Sequence, residues 1–138
     1  MRIMAIDYGD ARTGYAVSDA SGLLAGETGV LPSRNEEKLL ADLCRIYAEK
    51  GAERIVLGLP RNMDGSEGPR AEKSRALKKK LEERGCAVTL ADERRTTVEA
   101  HAILTETGRR GKQRKKRVDA VAASLILETY LNAHREEA

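Results

Sequence analysis

The chain has 138 residues, 41% hydrophobic and 34% charged, a balance that excludes a disordered or fibrous chain and fits one globular domain spanning 1–138. No apolar run approaches the roughly 20 residues that a membrane span needs, and the N-terminus lacks the apolar centre of a secretory signal, so a cytoplasmic protein with no membrane partner is expected. The net charge is only +3, and four Tyr with no Phe or Trp provide little aromatic surface for stacking single-stranded bases.

Arg2 to Ile6 form a short apolar run that ends at Asp7, Gly9 and Asp10. This predicts a buried strand delivering a carboxylate at its C-terminal end. Thr13 to Ser18 and Ala25 to Leu31 predict two further strands, and the short glycine-containing connections predict an antiparallel meander. From Asn35 the period changes. Leu39, Leu40, Leu43, Ile46 and Tyr47 recur at helical spacing, with Gly51 as the stop. Ile55 to Leu59 predicts a strand, and 61–69, with Asp64-Gly65 and Gly68-Pro69, a turn-rich loop. Ala71 to Arg84 then reads as a charged helix and Ala87 to Ala91 as a strand. A helix over 96–108 would be capped by Thr96 or Thr97. Val118 to Tyr130 reads as an apolar helix following a basic loop. Three strands followed by alternating helices and strands predict an α/β fold. Its sheet is mixed and five-stranded, opening with an antiparallel three-strand meander and carrying helices on its faces.

Cys44 and Cys86 are the only cysteines. They fall in different predicted elements without a CxxC or Cys/His cluster, so they read as ordinary buried thiols rather than zinc ligands or a disulfide framework. Charge is concentrated instead between Arg109 and Arg117, where seven of nine residues are basic (Arg109, Arg110, Lys112, Arg114, Lys115, Lys116, Arg117). The run reads either as a solvated loop or as a mobile segment that grips a phosphate backbone.

Three acids stand out by position: Asp7 at the end of the first strand, Glu93 just after the last, and Asp119 at the predicted start of the final helix. Functional groups of open α/β sheets gather beyond the carboxyl ends of the strands. Acids gathered there repel one another unless a cation is present, and Mg²⁺ or Mn²⁺ suits an all-oxygen set. Such ions activate water and stabilise the leaving oxygen in phosphodiester hydrolysis. Each acid also has a plainer role, as turn acceptor, helix-end charge or surface ion pair, and Asp92, Asp10 and Asp19 compete as ligands. Arg12, near Asp7, can hold a phosphate or balance a nearby Asp. Arg94 and Arg95 can line the same cleft.

The segments Ala5-Ile6-Asp7-Tyr8-Gly9, Arg12-Thr13-Gly14, Ser18-Asp19, Gly58-Leu59-Pro60 and Met63-Asp64-Gly65-Ser66-Glu67-Gly68-Pro69 occur in that order. They are followed by Asp92-Glu93-Arg94-Arg95-Thr96-Thr97 and Lys116-Arg117-Val118-Asp119-Ala120-Val121-Ala122-Ala123. Together they closely resemble the YqgF (RuvX) family, Holliday-junction-resolvase-like bacterial proteins named for a role as pre-16S rRNA nucleases. The resemblance implies an RNase H-like fold and a metal site carried by Asp7 and Asp119, with Glu93 as the middle member. In related junction resolvases the middle Glu follows an earlier strand, where this chain has Gly58-Leu59-Pro60. Arg95 stands where the family often has Leu.

The resemblance implies a metal-dependent nuclease that processes the 5′ end of the small-subunit ribosomal RNA precursor. Resolution of four-way DNA and non-catalytic nucleic-acid binding are the alternatives. The expected partners are structured RNA or branched DNA, bound by a monomer or homodimer. Sugar kinases and actin-like ATPases share this core, but they need a second domain for which 138 residues leave no room. The 63–69 loop also lacks the Gly-Lys-Ser/Thr ending of a nucleotide-binding P-loop.

Overall fold

The computed structural model describes residues 2–19, 25–61, 64–92 and 111–133, with the side chains of 111–120 outside that description. Its five strands are β1 (Arg2–Tyr8), β2 (Arg12–Ser18), β3 (Ala25–Pro32), β4 (Ala52–Leu59) and β5 (Val88–Asp92). The helices are α1 (Glu36–Glu49), α2 (Pro69–Glu83) and α3 (Gly111–Ala133).

The strands form one sheet in the order β3-β2-β1-β4-β5. β1, β2 and β3 pair antiparallel, as the short connections predict. β4 and β5 join in parallel on the other side of β1. β1 therefore takes the centre of the sheet, where both of its faces are covered.

Alternation along each strand sends side chains to opposite faces. Met4 and Ile6 of β1 join Ile55 and Leu57 of β4, Leu39 and Leu43 of α1, and Leu77 and Leu81 of α2 in one cluster. Ile3 and Ala5 face the other way, into a cluster with Ala16, Val56 and the α3 residues Ala123, Ile126 and Leu127. Alanines on both sides of that second interface let α3 lie close to the sheet. Removing these side chains from water is the main force holding the layers together.

The helix ends follow their local chemistry. Asn35 caps α1 by accepting from the Lys38 amide at 3.1 Å, and Glu36 and Glu37 complement the helix dipole in the first turn. Pro69 opens α2, two residues earlier than the apolar spacing suggests, because proline suits the first helical position. A Schellman motif closes α2. The Gly85 amide donates to the Glu82 carbonyl at 3.0 Å and the Cys86 amide to the Leu81 carbonyl at 3.1 Å. Gly85, at φ +94°, adopts the left-handed conformation that this motif needs.

One expectation is corrected. The stretch from Gly111 to Arg117 is helix, not a loop, and α3 begins at Gly111 rather than Val118. The charge run obscured this, although Lys, Arg and Gln are good helix formers and no breaker stands between Gly111 and Val118. Asp119 consequently lies well inside α3, more than two turns past its first residue, so neither a helix-opening position nor a macrodipole role at the N-terminus applies to it. The helix expected over 96–108 lies outside the described residues.

Candidate active site at the end of the central strand

Asp7 is the penultimate residue of β1 and is half-buried. Alternation puts it on the face of Ile3 and Ala5, the face that α3 covers. Its cross-strand partner on β2 is Gly14. On the β4 side, Ile6 pairs with Leu57, which leaves Gly58 beside Asp7. Val56, two residues before Gly58, packs into the α3-side cluster, so Gly58 shares that face. A carboxylate thus ends the central strand between two glycines, and no sheet side chain crowds it on either flank.

The same alternation separates the competing acids. Val88 and Leu90 belong to the α1–α2 side and Ala91 packs on the α3 side, so Asp92 returns to the face opposite Asp7. Asp10 is drawn to the α2 side, where Lys73 Nζ donates to its Oδ1 at 3.0 Å. That hydrogen bond, ahead of the Lys73 charge itself, holds the Asp10 carboxyl below its ordinary range. Asp19 follows Ser18, whose hydroxyl accepts from the Ile3 amide at 2.9 Å, at the far end of the sheet from Asp7. Glu93 itself, with Arg94, Arg95, Arg109 and Arg110, lies outside the described residues.

The β1–β2 turn beside Asp7 is tightly built. A Cβ at Gly9 would collide with the Arg12 carbonyl oxygen. Thr13 and Ser33, both buried, share a hydroxyl–hydroxyl hydrogen bond, and the Ser33 amide donates to the Ala11 carbonyl at 3.0 Å. These bonds tie the start of β2 to the end of β3. Arg12 lies two residues before Gly14 and four before Ala16, which packs in the α3-side cluster. The Arg12 side chain therefore shares the face of Asp7. The hydroxyl pair was not legible from sequence, since a lone Thr and a lone Ser 20 residues apart carry no pairing signal.

Residues 64–69 form a turn that serves α2. Asp64 Oδ1 accepts from the Ser66 amide at 2.9 Å and from its hydroxyl at 2.6 Å. Glu67 takes two hydrogen bonds from the Arg75 guanidinium, at 2.7 and 2.8 Å, and lies 3.6 Å from Arg61. The Arg75 hydrogen bond is the main cause that lowers the Glu67 carboxyl below its usual range. The polar groups of this turn are thus occupied in positioning the helix. Arg70, in the first turn of α2, donates to the Tyr8 carbonyl at 3.5 Å and so touches the end of β1.

α3 lies over β1, β2, β3 and β4, with its Ala123, Ile126 and Leu127 against Ile3 and Ala5. Asp119 belongs to this helix, one turn ahead of Ala123, and Lys112 and Arg114 to Arg117 occupy its first two turns. Among the described residues no group of three or more His, Cys, Asp or Glu could hold a metal ion. The fit to a hard cation therefore rests on Asp7, an oxygen donor at a strand end whose sheet neighbours on both flanks are glycines. Also among the described residues, no helix is long and apolar enough to cross a membrane.

The model of one family, described as RuvX: Holliday junction resolvase, matches residues 1–133. The chain belongs to the RuvX family. A RuvX relative from Halothermothrix orenii, named "Putative pre-16S rRNA nuclease", is 44% identical over 136 residues, covering 96% of this chain and 95% of the relative. The protein of the same name from Pediococcus pentosaceus is 42% identical over 141 residues, covering 97% and 94%. Among solved structures, T. thermophilus RuvC in complex with Holliday junction substrate matches with a TM-score of 0.63 at 13% identity, covering 100% of this chain and 98% of that one. The Fowlpox virus resolvase, in complex with substrate Holliday junction DNA, matches at 0.59 and 12% identity, covering 96% and 98%. RuvX chains of this kind thus have the RNase H-like, resolvase-type fold expected from the sequence motifs.

Proposed function

We propose that this RuvX protein is a metal-dependent nuclease that hydrolyses phosphodiester bonds in structured nucleic acid, with the 5′ end of the pre-16S ribosomal RNA as its substrate. The observation that carries the reading is Asp7, a carboxylate ending the central strand on the α3 face, between Gly14 and Gly58. A purely structural Asp at a strand end needs no such clearance, whereas a carboxylate that approaches a cation and a bulky phosphate does. The names borne by the 44% and 42% identical relatives support the ribosomal substrate, and ribosome assembly would place a single-domain protein of this kind in the cytoplasm.

In this reading Asp7, Glu93 and Asp119 hold Mg²⁺ or Mn²⁺. Bound there, the metal would supply a water of lowered pKa and charge stabilisation for the leaving oxygen. The position of Asp92 on the opposite face leaves Glu93 as the middle acid. Arg12, on the same face as Asp7, orients a phosphate through its planar guanidinium. Arg94, Arg95, Arg109, Arg110, Lys112, Arg114, Lys115, Lys116 and Arg117 grip the backbone. From Lys112 onward these cations lie on a helix, whose backbone sets their spacing. A carboxylate cluster facing phosphates favours catalysis over simple binding, because without a cation it would only weaken the complex.

The likeness to junction-bound T. thermophilus RuvC favours four-way DNA as the second substrate reading. The deciding experiment is Mn²⁺- or Mg²⁺-dependent cleavage of a 5′-extended pre-16S RNA by the purified protein, beside Asp7→Asn. Cleavage abolished by the substitution and by EDTA supports the nuclease. RNA binding without cleavage, together with inertness on four-way DNA, would make the protein a binding factor and overturn the reading.

A further inference from the structure

Cys44 and Cys86, 42 residues apart in sequence, lie with their Sγ atoms 3.8 Å from each other. Cys44 projects from the middle of α1 and is half-buried, while Cys86 is buried in the cluster beneath α1 and α2. The position of Cys86 is firmly determined. It is the residue after the left-handed Gly85, its amide is bonded to the Leu81 carbonyl, and Leu81 packs in the same cluster. Arg84, just before this turn, reaches α1 through an ion pair to Glu37 at 2.9 Å. The turn thus holds one thiol against α1 at the level where α1 carries the other. A disulfide requires the sulfurs to close from this separation to about 2.05 Å.

We propose that Cys44 and Cys86 are a reversible oxidation site, which closes into an intrachain disulfide linking α1 to the turn before β5 when the protein meets a peroxide. Nothing in the nuclease reading uses either thiol. Cys44 is the residue that a small oxidant can reach. Its thiolate attacks one peroxide oxygen, the O–O bond breaks, and the departing hydroxide takes a proton and leaves as water, giving a sulfenic acid. The Cys86 sulfur then attacks the Cys44 sulfur. The S–O bond breaks, and the hydroxide takes the Cys86 proton and leaves as a second water. Two thiols lose two electrons in all, and one peroxide becomes two waters. Burial, the largest cause, pushes the Cys86 thiol up to about 12.

The test is hydrogen peroxide treatment of the full chain, followed by alkylation in denaturant and non-reducing tryptic mapping. The sites at Lys38, Arg45, Arg84 and Arg94 release Cys44 in 39–45 and Cys86 in 85–94. The expected result is a cross-link between these peptides within one chain, abolished by dithiothreitol. The oxidised protein should melt roughly 5–10 °C above the reduced form, because the bridge closes a long loop in the unfolded chain. Cys86→Ser should leave Cys44 as a sulfenic or sulfinic acid with no rise in melting temperature. If Cys86→Ser does not fold, Cys44→Ser, on the more exposed side, serves the same purpose, with Cys86 remaining unoxidised. Oxidation of Cys44 alone in the wild type, or a cross-link between two chains, would overturn the proposal.

Discussion

Asp7 and Gly14 face each other across the β1–β2 ladder, so the carboxylate of the central strand looks across at a residue with no side chain. Gly58 provides the same clearance on the β4 flank. If this clearance serves a metal and a phosphate, filling it should remove activity before it removes the fold. Gly58→Val is expected to lower cleavage about tenfold to a hundredfold, comparable to losing support around a metal ligand. It should cost the fold only the ~1–3 kcal/mol of an overpacked core position. Paired cleavage assays and thermal melts check this; unaltered cleavage by a well-folded variant would show that the flank is structural.

The Thr13–Ser33 bond is a buried pair of hydroxyls, and breaking it from one side strands the other. Thr13→Val or Ser33→Ala alone should each cost about 1–3 kcal/mol. The double variant should cost clearly less than the sum, since no orphaned hydroxyl remains. Urea unfolding of the four proteins of this cycle measures the coupling. Strict additivity would mean that the two hydroxyls do not depend on each other.

Two carboxylates tie the strand-end loops to α2: Asp10 through Lys73 and Glu67 through Arg75. Both are held below the ordinary carboxylate range, chiefly by those hydrogen bonds. A depressed folded pKa stabilises fully above the unfolded value, near 4, and the contribution is lost as pH falls through the folded value. Both pairs are solvent-exposed, so the effect is small and salt-sensitive. Melting temperatures of Asp10→Asn and Glu67→Gln should sit slightly below wild type above about pH 5. They should converge with it on acidification below about pH 4. A gap that instead widened in acid would contradict the assignment.

The nuclease reading makes the first two turns of α3 a phosphate-binding element. Lys115→Gln and Lys116→Gln should each reduce the slope of log affinity against log salt by roughly 0.7–0.9, the release of one counterion. Lys79→Gln, exposed on α2 across the sheet, should leave the slope unchanged. Filter-binding titrations with structured RNA over a range of salt concentrations distinguish these cases, and equal slopes for all three variants would remove α3 from the interface.

The sequence alone determined most of the described elements and their type. Apolar runs, helical spacing and glycine stops locate five strands and the first two helices to within a few residues, because local propensity and burial agree there. The meander is legible from its short connections, and ordered motifs across the chain carry the family and therefore the fold. What the sequence left open, pairing and periodicity in three dimensions decided. Asp7, Asp10, Asp19 and Asp92 are equally acidic on paper. Only strand alternation and register show that Asp7 shares a face with Arg12 and the α3 interface, while Asp92 and Asp10 turn to the other side and Asp19 stands at the far end. The basic run was misread as loop because charge density masked helix propensity, and with it Asp119 moved from the start of a helix to its interior. The Thr13–Ser33 and Cys44–Cys86 contacts had no sequence signal at all. Each joins residues many positions apart, and such contacts arise only when the sheet register and the turn closing α2 bring separate elements together.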